Sequence, residues 1–171
     1  MNSMYIICTR RPLPSAFHAE YFSVGNYNVI LVDWSVEAKK QLLTQYPEAR
    51  QDCVWVGALL VSLLKVLQTK GGDLKKMHCI GHSLGTHICH QAALGVGKAL
   101  GRVTGLDPAD PTNSWTGMKG DAIFTDIIHT SNFASHDTAY GDVDFYPNGG
   151  KDQPGCLLND GKLNCCALMA R

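Results

Sequence analysis

Residues 77–94 constrain the fold more tightly than any other stretch. A short apolar run over 77–81 leads directly into Gly81-His82-Ser83-Leu84-Gly85, and a helical pattern follows over 84–94. A strand that turns into a helix this abruptly needs small residues on both sides of the corner, and Gly81 and Gly85 supply them. The corner holds the Ser83 hydroxyl at the head of a helix, where unpaired N–H groups point toward a reacting centre. A bare G-x-S-x-G pentapeptide occurs by chance; the strand before it and the helix after it make it specific. The chemistry it implies is nucleophilic attack by Ser83, with the backbone N–H of Leu84 placed to stabilise an oxyanion. His82 is adjacent in sequence, which is poor geometry for a base, and is expected to fill space beneath the turn.

The rest of the chain repeats the alternation. Strands are expected over residues 4–8, 28–34, 102–106 and 122–129. The run 28–34 is apolar on both faces, as in a central parallel strand. A helix over 49–68 places Cys53, Val56, Leu60, Leu63, Leu64 and Leu67 near one stripe and stops at Gly71-Gly72-Asp73. Strands alternating with helices imply an α/β domain with a mostly parallel sheet and helices on both faces. After Thr130 the pattern gives way to a loop-rich tail with Gly149-Gly150 and Pro154-Gly155. No repeat or linker divides the chain, so residues 1–171 are expected to form a single domain.

Composition sets the outer bounds. With 45% hydrophobic and 18% charged residues, a chain of 171 residues can bury one real core. Lys+Arg and Asp+Glu both number 15 and aromatics are 8%, which offers nothing to a nucleic acid. The longest apolar run, 54–64, is too short to span a bilayer, so no transmembrane segment is expected. The first residues lack a signal-peptide pattern. The cysteines number seven, an odd count. Cys8, Cys53, Cys79 and Cys89 lie in apolar stretches and are expected as small buried hydrophobes. Cys156, Cys165 and Cys166 crowd a polar tail, where a disulfide is expected. No C-x-x-C spacing occurs, and no metal site is expected.

An acid should follow the next strand if Ser83 is to be activated. Asp107 comes directly after 102–106, and its role would be to orient an imidazole and stabilise its charged form. The bland reading is an aspartate capping the turn at Pro108. Asp110, deeper in the loop before Pro111, is a rival.

Several segments go beyond generic patterning: 28–34, Tyr46-Pro47-Glu48-Ala49-Arg50-Gln51, Val56-Gly57 and His78 through His87. Gly105-Leu106-Asp107-Pro108-Ala109-Asp110-Pro111, Asp126-Ile127-Ile128-His129-Thr130-Ser131, residues 141–150 and Gln153-Pro154-Gly155-Cys156 continue the series. In order and spacing these resemble the pancreatic lipase family across residues 27–156, leaving 157–171 as a divergent tail. The region 110–121 is similar to that of the family's invertebrate lipases and phospholipases A1. The resemblance implies an α/β-hydrolase fold, incomplete at both ends in this chain. It implies a secreted, extracellular hydrolase of lipid carboxylic esters, of triacylglycerol lipase or phospholipase A1 type. Its lipid ester substrate would be met at a membrane or lipid-droplet surface. Ser83 would be the nucleophile and Asp107 the triad acid, with no organic cofactor. Some relatives hold a structural calcium after the triad acid; only Asp121 matches that pattern, so no ion is expected. Oligomeric state is left open.

The chain also departs from the family. The family's catalytic histidine follows a cysteine beyond the Gln-Pro-Gly-Cys motif; here that stretch reads Asn164-Cys165-Cys166-Ala167-Leu168-Met169, and no histidine follows His136. The family's His-Gly-aromatic loop, source of a second oxyanion N–H, is replaced by Cys8-Thr9-Arg10. The export signal and the C-terminal lipid-binding domain of longer relatives have no counterpart. The base is therefore unassigned: His129 is expected as a hydrogen-bonded, partly buried residue and His136 as a surface one. The alternatives are a lipase-fold protein that binds lipid without hydrolysing it, and a truncated chain with no function of its own. A serine peptidase on the same fold has only the elbow in its favour.

Overall fold

A computed structural model describes residues 2–9, 15–36, 45–131, 138–151 and 153–154. Six strands form one sheet: β1 (Met4–Thr9), β2 (Asn28–Asp33), β3 (Met77–His82), β4 (Arg102–Leu106), β5 (Thr125–Ile128) and β6 (Val143–Phe145). The spatial order is β2-β1-β3-β4-β5-β6 and every pairing is parallel. Among the described residues, three α-helices connect them: α1 (Ser15–Val24), α2 (Tyr46–Thr69) and α3 (Gly85–Gly95). This is the expected α/β architecture, and it is consistent with an α/β-hydrolase fold.

The winding reverses once. The chain steps from β1 outward to β2, then crosses back past β1 to β3 and continues in one direction. Right-handed crossovers then put the connecting helices on opposite faces, and the reversal opens a crevice beyond the carboxyl ends of β1 and β3. Side chains confirm the two faces. Ile6, Cys8, Cys79 and Val103 are fully buried on the face covered by α2 and α3, where Leu60, Leu64, Ile88 and Ala92 meet them. On the other face Tyr5 packs against Tyr21 of α1, the two rings tilted with their centroids 4.7 Å apart. That face also carries a polar row: His78 Nε2 lies 2.7 Å from Thr104 Oγ1, Thr104 donates to Asp126, and Arg102 grips Asp126 with two nitrogens.

Three expectations need correction. The run 28–34 is apolar on both faces, yet β2 pairs only with β1 among the described residues and lies at the sheet edge, leaving Leu31 46% exposed. The expected strand 122–129 begins only at Thr125, because Ile123 and Phe124 turn outward to solvent. The tail after Thr130 contains one more strand, β6, which extends the sheet beside β5. The apolar run 54–64 sits inside α2, a helix of 24 residues that by length and composition could cross a membrane, with 22% of its most apolar window buried. Cys53, Leu60 and Leu64 on one face of that helix are buried against α3 and the sheet, while Trp55, Leu59 and Val66 are exposed.

Candidate active site

Ser83 sits on the corner between β3 and α3, immediately beyond the carboxyl end of the sheet. Its φ is +55°, in the left-handed region that costs a non-glycine residue of order 1 kcal/mol or more. Such a backbone persists only where the surroundings hold it. The Ser83 N–H donates to Leu106 O at 2.9 Å, and Thr86 Oγ1 donates back to Gly81 O at 2.9 Å. Leu84 is buried and begins the turn into α3, and its carbonyl accepts from Cys53 Sγ at 3.4 Å. Gly81 and Gly85 are required sterically: a Cβ on Gly81 would meet the backbone of Gly85, and one on Gly85 would meet the Cys8 carbonyl. Gly85→Ala is thus expected to destabilise the protein by about 3 kcal/mol or more, since the obstacle is main chain that cannot swing away. Urea unfolding with an unchanged m-value checks this; a loss below about 1 kcal/mol would show that the packing of α3 on β1 is loose.

Asp107 stands one residue past β4, as Ser83 does past β3, and His82 pairs with Leu106. The two candidate groups therefore occupy neighbouring strand ends. Asp107 also takes a positive φ, +48°. Its N–H donates to Ile128 O at 2.8 Å, and its Oδ1 accepts from the N–H groups of Thr130 and Ser131 at 3.1 and 3.0 Å. Sequence reading missed these donors, which lie 23 and 24 residues downstream. Asp110, the rival, is spent on its own loop. It accepts from the N–H groups of Ser114 and Trp115 and from the Tyr140 hydroxyl. Burial alone would raise its pKa, but these donors outweigh it and hold the carboxyl below its ordinary value.

Four of the described histidines, His78, His87, His90 and His129, are held by partners other than Ser83. His129 is buried, faces Asp144 Oδ1 at 2.8 Å through Nε2 and stacks on Tyr146, as expected of it. His87 Nε2 donates to Ala109 O at 2.6 Å, with its ring edge-on to Trp115. His90 lies 2.9 Å from Asp121, which Lys98 also approaches at 2.9 Å; the one acid matching the family's calcium pattern thus faces two basic side chains. His82 alternates with Cys79 and Gly81 along β3 and so projects to the face opposite α3. His136 and the cysteines Cys156, Cys165 and Cys166 lie outside the described residues.

Burial depresses several of these imidazoles. His87 is pushed down to about 3, chiefly by burial and then by Arg50. His82 falls to about 4 by burial, and His78 to about 4 by burial and then Arg102. Their folded pKa values lie below the unfolded one near 6.5, so between pH 6.5 and 4 the unfolded chain binds protons that the fold refuses. Stability should therefore fall as pH drops through that window, by up to about 1.4 kcal/mol per pH unit per group. The urea midpoint is expected to be lower at pH 5 than at pH 7, and His87→Gln, which can still donate to Ala109 O, should make that fall shallower. A slope identical in the variant would mean that His87 accepts a proton in the fold.

The cysteines require a correction. Cys8 and Cys53 are buried thiols, as expected, but Cys79 and Cys89 form a disulfide that joins β3 to α3 directly beneath the elbow. A signal was present in the sequence: the two residues flank the corner ten positions apart, one on the strand and one on the helix that folds back over it.

A serine corner with a positive φ on a six-stranded parallel α/β sheet, with a backbone-held aspartate on the next strand end, is consistent with the α/β-hydrolase class of fold. Within that class the chain belongs to the lipase family, whose model matches residues 11–163. It is 38% identical over 159 residues to pancreatic lipase-related protein 2 of Sus scrofa, covering 85% of this chain and 33% of that protein. It is 40% identical over 152 residues to pancreatic triacylglycerol lipase of Equus caballus, covering 81% and 32%. Lipase member H of Mus musculus is 39% identical over 140 residues, covering 78% and 30%. The chain spans about a third of the length of the curated relatives it matches.

Proposed function

We propose that this chain carries the nucleophile core of a lipid carboxylic-ester hydrolase, of triacylglycerol lipase or phospholipase A1 type, organised as a single α/β domain. The observation that carries the reading is Ser83 on its left-handed corner beside Asp107, in a chain of the lipase family. Ser83 Oγ attacks the ester carbonyl while the Leu84 N–H donates to the developing oxyanion. The alcohol leaves, and water then releases the fatty acid from the acyl-serine. Asp107 is the triad acid, its carboxylate fixed by two backbone donors so that it can orient an imidazole. No base is assigned: His78, His82, His87, His90 and His129 are each engaged or directed elsewhere. A water-insoluble glycerolipid places the reaction at a membrane or lipid-droplet surface. The Cys79–Cys89 disulfide supports an oxidising, extracellular setting.

A second reading is a lipase-fold protein that binds lipid without hydrolysing it. The absence of an available imidazole among the described side chains favours it. Fatty-acid release from a triacylglycerol emulsion and from phosphatidylcholine vesicles, by wild type and Ser83→Ala, separates the two. Ser83-dependent release from either substrate is expected; its absence in folded protein transfers the function to lipid binding.

A further inference from the structure

The sulfur atoms of Cys8, Cys79 and Cys89 all lie within 4.8 Å of one another, in a fully buried pocket under the elbow. Two of them form the β3–α3 bridge and the third is a thiol. Three cysteines at this spacing could instead hold a soft cation. That alternative fails on charge: three thiolates around a monovalent ion would bury a net negative charge among apolar residues.

We propose that Cys8, Cys79 and Cys89 form a thiol–disulfide exchange site, in which the bridge moves from Cys79–Cys89 to Cys8–Cys89. The Cys8 sulfur attacks Sγ of Cys89, the Cys79–Cys89 bond breaks, and Cys79 leaves and takes up the proton that Cys8 gives up. One S–S bond replaces another, so no oxidant or reductant is consumed. The result ties α3 to the carboxyl end of β1 instead of to β3.

The partner is fixed by the backbone. Cys79 pairs with Ile6, so Cys8 is two residues along the neighbouring strand. Strand spacing and rise put their Cα atoms roughly 8 Å apart, beyond the reach of a disulfide without backbone movement. Cys89 is placed differently. The start of α3 presses on Cys8, whose carbonyl and Cβ are the atoms that a Cβ on Gly85 would meet, and Cys89 lies one helical turn beyond Gly85 on the same face. Burial, and then Cys53, push the Cys8 thiol well above its ordinary range. Thiolate is therefore scarce in the closed fold, and exchange waits on opening of the elbow or on the oxidation that accompanies folding.

Tryptic mapping without reduction reads the outcome directly. Cys8 falls in peptide 1–10, Cys53 in 51–65, and both Cys79 and Cys89 in 77–98. The original bridge is an internal loop of 77–98, whereas the migrated bridge joins 1–10 to 77–98. In Cys79→Ala, oxidative refolding should give the 1–10/77–98 cross-link in most of the folded protein, with Cys53 alkylated as a free thiol. In Cys89→Ala, Cys8 and Cys79 should both be alkylated. Should Cys79→Ala not fold, the wild type in a glutathione redox buffer with subdenaturing urea should show the same cross-link as a minority species, absent in Cys8→Ala. Free Cys8 and Cys89 in folded Cys79→Ala, no cross-link in the wild type, or equal bridging in Cys89→Ala would each overturn the proposal.

Discussion

Ser83→Ala is expected to lower ester turnover by about 10⁴–10⁶-fold, the loss that follows removal of the nucleophile in serine hydrolases. The fold should survive, because the bonds that hold the corner are made by main chain and by Thr86, not by the Ser83 hydroxyl. Ser83→Gly distinguishes a chemical effect from a structural one. The backbone at Ser83 lies at φ +55°, which glycine adopts freely. The glycine variant should be as inactive as the alanine variant yet more stable by up to about 1 kcal/mol, read from its urea midpoint. A protein that is destabilised by glycine would show that the corner is not strained, and a protein that keeps its turnover in either variant would remove Ser83 from the chemistry.

Asp107→Asn should cost about 10⁴-fold in turnover with little change in stability. Asparagine keeps an oxygen for the N–H groups of Thr130 and Ser131, so the loop geometry is preserved. What it loses is the negative charge that, in the proposed mechanism, would set the tautomer of the imidazole base, which no described histidine supplies, and stabilise its protonated form. Asp110→Asn is the matched control. Its carboxylate organises the loop through Ser114, Trp115 and Tyr140, so the expected effect is lower stability, with turnover per folded molecule much less affected. If the two effects came out exchanged, Asp110 would be the acid and Asp107 the structural residue.

The elbow was legible in the sequence because its constraint is local. Gly81 and Gly85 are demanded by backbone atoms a few residues away and by one neighbouring strand, and the switch from strand to helical periodicity occurs within the motif itself. The position of Asp107 was legible for the same reason, as the first residue past β4. The donors that hold it were not, because Thr130 and Ser131 act through main-chain N–H groups, which carry no residue signature. Edge and centre of the sheet were also confused. The residues of β2 are apolar on both faces, and only the winding order places them at the rim. β6 has three residues, Val143, Asp144 and Phe145, of which the two apolar ones are exposed, so neither length nor alternation announced it. The disulfide escaped because Cys79 and Cys89 pack as apolar residues do, and their ten-residue spacing across the corner becomes a signal only when combined with the return of α3 over β3. The Lipase match over residues 11–163 bears out the family resemblance read from the motifs.

Covalent capture of Ser83 tests the central claim most directly. The folded 171-residue chain would be exposed to a fluorophosphonate, and the adduct mapped by mass to tryptic peptide 77–98, with Ser83→Ala as control. The expected result is a single phosphonyl group on Ser83 in the wild type and none on that peptide in the variant. Folded wild-type protein that stays unlabelled at concentrations that saturate an active serine esterase would contradict the claim, and leave a lipase scaffold whose serine is not activated.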